Sequence, residues 1–153
     1  MKRISERGQS LVELGVSLLI LLYLLSGAAE FGILFFQYVQ LRDAAQEGAL
    51  YGSMNPANIA EITNRVRFSS ESPLDLDALI TSGEVGVAIS IDGVAAGAAG
   101  YDTIDCEGHG IEVQVTYTHQ IFMPFMPQIL GRNDIPLTAR VVDTILTPHQ
   151  CSP

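Results

Sequence analysis

Two carboxylates bracket the most apolar part of the chain. Glu13 precedes and Glu30 follows the run from Leu14 to Ala29, which contains no charged residue. A carboxylate in or beside a lipid-length apolar helix is costly, so each is a functional candidate: it must reach water, lose its charge or meet a cation. Other groups able to do chemistry are dispersed. His109, His119 and His149 share no motif, no serine or cysteine sits in a nucleophile arrangement with a base nearby, and each histidine reads as a surface residue. The acidic runs Asp75-Leu76-Asp77 and Asp102 to Glu107 lack the spacing of a calcium loop and read as solvated faces. Cys106 and Cys151 form no CxxC pair and have no flanking metal-ligand pattern. The expectation is no catalytic residue, no metal and no cofactor.

The composition supports a membrane reading. In 153 residues, 17 Asp and Glu face 8 Lys and Arg, a formal net charge of −9, which excludes a basic nucleic-acid-binding domain. The chain is 48% hydrophobic and only 16% charged, greasier than an ordinary soluble domain. The excess is concentrated at the N-terminus, where the charged residues before Val39 are Lys2, Arg3, Glu6, Arg7, Glu13 and Glu30.

At about 1.5 Å per residue, Leu14 to Ala29 spans about 24 Å, short of the roughly 30 Å of a hydrocarbon core. Extension from Leu11 to Phe36 supplies the length but encloses both carboxylates. Lys2, Arg3 and Arg7 precede the segment and the next cation is Arg42, so the positive-inside rule keeps the N-terminus cytoplasmic and exports the rest. Glu30 is then expected near the outer interface, within reach of water. A cleavable secretory peptide ending at Ser26-Gly27-Ala28 is the competing reading. Against it, Phe31 to Val39 keeps the chain apolar past that site, and a glutamate is unusual at the start of a signal's apolar region.

Arg7-Gly8-Gln9-Ser10-Leu11-Val12-Glu13 sets a glycine before the apolar segment and a glutamate at the fifth position after it. This resembles the processing site of type IV prepilins, in which a membrane-embedded peptidase cuts after the glycine and leaves the apolar helix as a filament-forming stem. A residue without a side chain lets the backbone lie extended in a tight protease cleft. The cut would fall between Gly8 and Gln9. The short leader is typical of the tight-adherence (Tad, Flp) branch, and the resemblance narrows to its TadE-like pseudopilins. Glu30-Phe31-Gly32, Gln37 to Leu41, Ala44 to Gly52, Ile111 to Tyr117 and Ile135 to Val142 all look like segments of that family. Two positions depart: Leu14 stands where Phe usually follows the glutamate, and Ser17-Leu18 where Pro often breaks the stem. The resemblance implies a prepilin peptidase, other pilins or pseudopilins and an inner-membrane pilus assembly platform as partners, besides membrane lipid. It also implies a charge pair between Glu13 and the ammonium freed on Gln9 of a neighbouring subunit.

These residues need a scaffold. From Ser10 to about Tyr51 nothing breaks a helix, and Asn55-Pro56 ends it. Ala44, Gly48 and Gly52 recur every four residues, a small-residue face that suits close approach by the protein's own sheet or, alternatively, another subunit. Asn55 is expected to cap a second short helix with Ile59, Ile62 and Val66 on its buried side, ending near Phe68. A helical turn is expected around Asp75. Three period-two runs follow: Val85 to Ile91, Ile111 to Tyr117, and Leu137 to Asp143. Asp92-Gly93 turns the first run, and Val94 to Gly110 reads as a loop. The apolar Ile121 to Pro127 covers the core or presents a docking surface.

The expected architecture is α+β and pilin-like: a long N-terminal transmembrane and stem helix on a small three-stranded antiparallel sheet. Its divisions are a leader at 1–8, the stem at 9–54 and an exported globular domain at 55–153. If the second and third runs pair around the loop from Thr118 to Pro136, with Gln114 opposite Val141, Cys106 and Cys151 leave the same end of one hairpin. They then lie within reach of a disulfide. The function expected is that of a minor pseudopilin in the cytoplasmic membrane, at the assembly machinery or in the filament. An uncleaved single-pass anchor with an exported binding domain is the alternative, and an exported enzyme ranks third.

Overall fold

The computed structural model describes residues 6–70 and 73–146. Helix α1, Glu6–Met54, is one uninterrupted α-helix of 49 residues, about 73 Å long at the standard rise. Neither proline nor a cap residue interrupts it, and the absence of Pro at Ser17-Leu18 removes the usual cause of a break. It stops where expected: Asn55 N–H bonds the carbonyl of Tyr51, and Pro56 has no N–H to continue the ladder.

Helix α2, Ile59–Arg67, follows after a turn in which the Asn58 amide bonds the carbonyl of Asn55. Its cap is Asn58 rather than Asn55, with Asn58 Oδ1 accepting from Glu61 N at 3.2 Å. Asn55 is still occupied in closing α1, which moves the second helix three residues along. Ile62 and Val66 are its buried residues. Helix α3, Leu76–Ser82, is capped by Asp75, which accepts from Ala78 N at 3.0 Å, and ends on the left-handed Gly83.

The sheet has four strands, not three. Strands β1 (Val85–Ile91), β2 (Val94–Ala95), β3 (Gly110–Gln120) and β4 (Asp134–Thr144) stand in the order β2-β1-β3-β4, every pair antiparallel. The added strand β2 comes from the stretch expected to be loop. Asp92 and Gly93 both have positive φ, 48° and 86°, so the chain reverses in two residues and lays Val94 opposite Ile91. Two residues carry no readable alternation, which is why composition hides them. A 3₁₀ turn at Tyr101–Thr103 follows. The Tyr101 hydroxyl donates to the carbonyl of Pro56 at 3.0 Å, and burial pushes its pKa up to about 12. In the β3–β4 hairpin Gln114 faces Arg140, one residue from the expected Val141.

The core lies between the second half of α1 and the sheet. Leu41, Ala44, Ala45 and Ala49 of α1 meet Ile62 and Val66 of α2, with Ile89, Ile91, Ile111, Val113, Val115 and Ala139 from the strands. The small-residue face of α1 packs against the protein's own elements. A Cβ placed on Gly48 would lie 2.6 Å from Val66 Cγ2, and one on Gly52 would lie 2.7 Å from Ile111 Cδ1. Side chains there would push α2 and the sheet away from α1. At the end of α1 the Ser53 carbonyl accepts from Leu146 N at 2.8 Å, so the segment after β4 is tied to the stem.

Candidate functional site on the stem helix

The first part of α1 is uncovered by the rest of the fold. From Gly8 to Leu22 every residue is exposed, and none of the most apolar window of the helix is buried inside the protein. Exposure reaches 69% at Leu11 and 67% at Leu24, values that would be costly for leucine in water. Among the described residues this is the one helix long and apolar enough to cross a membrane. The N-terminal cations Lys2 and Arg3 lie outside the described residues.

Gly8, Gln9 and Glu13 are exposed on this uncovered helix. Gln9 and Glu13 are four residues apart and share a face. A Cβ on Gly8 would meet nothing within 4 Å. The fold therefore makes no steric demand for glycine there. Gly8 lies in the first turn of α1, which starts at Glu6 rather than at the stem's expected first residue, Gln9. The first-turn N–H groups have no intrahelical partner, so opening this turn sacrifices few hydrogen bonds.

Glu30 departs from its expected surroundings. Instead of reaching water near an interface it is only 9% exposed, and its Oε1 lies 2.8 Å from His119 Nε2. The amide of Phe122 donates to both carboxylate oxygens, at 3.1 and 3.3 Å. His119, read as a surface residue, is 1% exposed and sits edge-on to the Phe122 ring. With a proton on Nε2 the imidazole donates to the carboxylate, and the site satisfies a charge that lipid could not. The signal that identifies His119 is parity: it stands in phase with Ile111, Val113 and Val115, the inward face of β3. Phe31 and Gly32, beside Glu30, are exposed, and Phe31 stacks on Phe35 with ring centroids 6.5 Å apart.

The β3–β4 hairpin therefore runs along α1 toward its N-terminal half. Ile111 lies at Gly52 and His119 at Glu30, while Met123, beyond the strand, lies at Gly27, its Cε 3.3 Å from a Cβ built there. The spacing is self-consistent: 25 helical residues and 12 extended residues each cover about 40 Å. The remaining histidine within the described residues, His109, places Nδ1 2.6 Å from Asp92 Oδ2 at the far end of the sheet. That hydrogen bond, with another from Gly110 N, holds the Asp92 carboxyl below its ordinary range. His149 lies outside the described residues. So does Cys151, whereas Cys106 is buried at 1% exposure between the 3₁₀ turn and β3.

Residues 8–50 match the family model described as TadE-like protein. The match begins at Gly8 and ends inside α1, so it covers the uncovered stem and the start of its packed half. The resemblance drawn from β3 and β4 lies beyond the matched stretch. No similar curated protein and no similar solved structure was found.

Proposed function

We propose, with the TadE-like character of residues 8–50 as the premise, that this chain is a minor pseudopilin of a bacterial Tad/Flp pilus assembly system. It aids pilus biogenesis, adhesion or secretion by assembling, not by catalysis. The observation that carries this reading is the coincidence of the family match with the uncovered apolar half of α1: the recognisable residues include those that the globular domain leaves unpaired.

In this reading the stem spans the cytoplasmic membrane once, N-terminus inside, and the domain of residues 55–153 stands outside. A prepilin peptidase removes residues 1–8, which requires unwinding the first turn of α1. Cleavage frees an ammonium group on Gln9, and that group neutralises Glu13 of an adjacent subunit within the apolar bundle. Pairing offsets the penalty that either charge would carry alone and favours one axial register between stems. Partners are other pilins or pseudopilins and the membrane assembly platform.

A second reading, an uncleaved single-pass anchor with an exported binding domain, draws support from the continuity of α1 through the Gly8–Gln9 bond. N-terminal sequencing of protein purified from its native membrane separates the two. A chain beginning at Gln9 supports the pseudopilin. A chain beginning at Met1 supports the anchor, and one beginning at Ala29 overturns both in favour of a secretory peptide.

A further inference from the structure

The loop joining β3 to β4 has no charged residue from Gln120 to Gly131 and contains the short helix α4, Met126–Leu130. Only Met123 of this loop is fully buried, whereas Phe122 is 74%, Phe125 69%, Ile129 70% and Leu130 49% exposed. Four large apolar side chains left open on one short loop form a surface that water disfavours. The backbone holds them there: Phe125 adopts φ 65°, a left-handed conformation unusual for a bulky residue, just before α4.

The height of the loop along the stem decides what covers it. Phe122 N–H is bonded to Glu30, and Met123 lies on Gly27, a residue within the uncharged run. A hydrocarbon core of about 30 Å that begins near Leu11 ends some 20 residues later, at about Phe31. Met123 then lies about 6 Å below that boundary and Phe122 close to it. Moving the core four residues toward the N-terminus, the shift that brings its boundary to Met123, would take in Arg7, and moving it the other way would submerge the loop further.

We propose that this loop is a second membrane contact: Phe122, Phe125, Ile129 and Leu130 enter the leaflet on the globular domain's side, beside the spanning helix. Glu30 and His119 are the polar seam that permits this. They satisfy each other and the Phe122 amide at a depth where water would otherwise be required. The contact fixes the tilt and rotation of the domain on its membrane, with β2 and α2, which lie level with Gly48 and Gly52, held away from it. The proposal rests on the membrane-anchoring part of the function above and is independent of peptidase processing.

The chain contains no tryptophan, so Phe125→Trp introduces a single one, which can be excited apart from the tyrosines. The full chain is reconstituted into vesicles of phosphatidylcholine and phosphatidylglycerol, with lipids brominated at different depths of the acyl chain. Flotation reports the anchor and emission reports the loop. Phe125→Trp is expected to be quenched about twofold or more by lipid brominated near the headgroup, less by lipid brominated near the chain end, and poorly by aqueous acrylamide. Phe68→Trp, at the end of α2 where Phe68 is 65% exposed, is expected to show the reverse. Phe122→Trp repeats the test if the variant at 125 misfolds. Vesicles that float while the loop tryptophan answers only to acrylamide, or to neither quencher, overturn the loop contact and leave the anchor standing. Failure to float overturns both.

Discussion

His119 Nε2 lies 2.8 Å from Glu30 Oε1, joining residues 89 positions apart and fastening the end of β3 to the apolar stem. Both side chains are withdrawn from solvent, at 1% and 11% exposure. Removing one partner strands the other. Glu30→Leu and His119→Leu are each expected to destabilise the domain by about 1–3 kcal/mol in detergent. The double variant is expected to cost clearly less than the two losses added, because neither group is left orphaned. Thermal unfolding of the three variants checks this, and strict additivity would refute the pairing as the source of the cost.

The glycines of α1 differ in what they permit. Gly48→Ala is expected to destabilise by about 1–2 kcal/mol despite alanine's better helix propensity, because Val66 is stiff at χ1 and cannot withdraw its Cγ2. Gly52→Ala is expected to cost less, since the obstructing atom is the mobile Cδ1 of Ile111. Gly15→Ala meets nothing within 4 Å and should leave unfolding unchanged or improved. Equal losses at Gly48 and Gly15 would contradict the close approach of α2 and β3 to α1 at Gly48.

Processing and assembly are separable at the stem's start. Gly8→Phe is expected to leave the domain's unfolding unaltered, as the position is open, while the longer precursor accumulates in the membrane. Glu13→Leu is expected to be processed and inserted but not assembled. Immunoblots of membrane and filament fractions resolve the two defects, and normal assembly of Glu13→Leu would eliminate the charge pair.

Acid should loosen the β1–β2 turn. The Asp92 carboxyl sits below its ordinary value of 3.8, chiefly through its hydrogen bond with His109. A depressed carboxyl contributes stability that is full above the unfolded value and is lost as pH falls through the folded one. Asp92→Asn removes this contribution and keeps the left-handed turn accessible. The gap between wild-type and variant melting temperatures should therefore shrink as the pH falls below about 4. A gap independent of pH from 2 to 6 would show that Asp92 acts through the turn alone.

Cys106 and Cys151 are expected to form a disulfide that ties the C-terminal tail to the domain. Intact-mass analysis of non-reduced protein after alkylation should find neither cysteine modified, and two added groups would refute the bridge.

Much of the architecture is local and therefore legible. A helix from before Leu11 to Met54, its stop at Asn55-Pro56, the inward faces of β1 and β3 and the turn at Asp92-Gly93 each follow from periodicity or backbone preference over a few residues. The glycines at 48 and 52 announced a close contact for the same reason, since their spacing repeats on one helix face. Strand β2 was not legible because two residues have no period and pair only when Ile91 offers them an edge. The fates of Glu30 and His119 were hidden for another reason. Charge and hydropathy state that a carboxylate beside an apolar run needs a partner, but they do not say whether water, another subunit or the same chain supplies it. That answer depends on how far the β3–β4 hairpin reaches along α1, a distance set by packing at Gly48 and Gly52 and propagated through the rigid strand. Turning the inward face of β3 outward would expose Ile111, Val113 and Val115 to water and leave Glu30 without His119, so burial of that apolar face fixes the partner of Glu30.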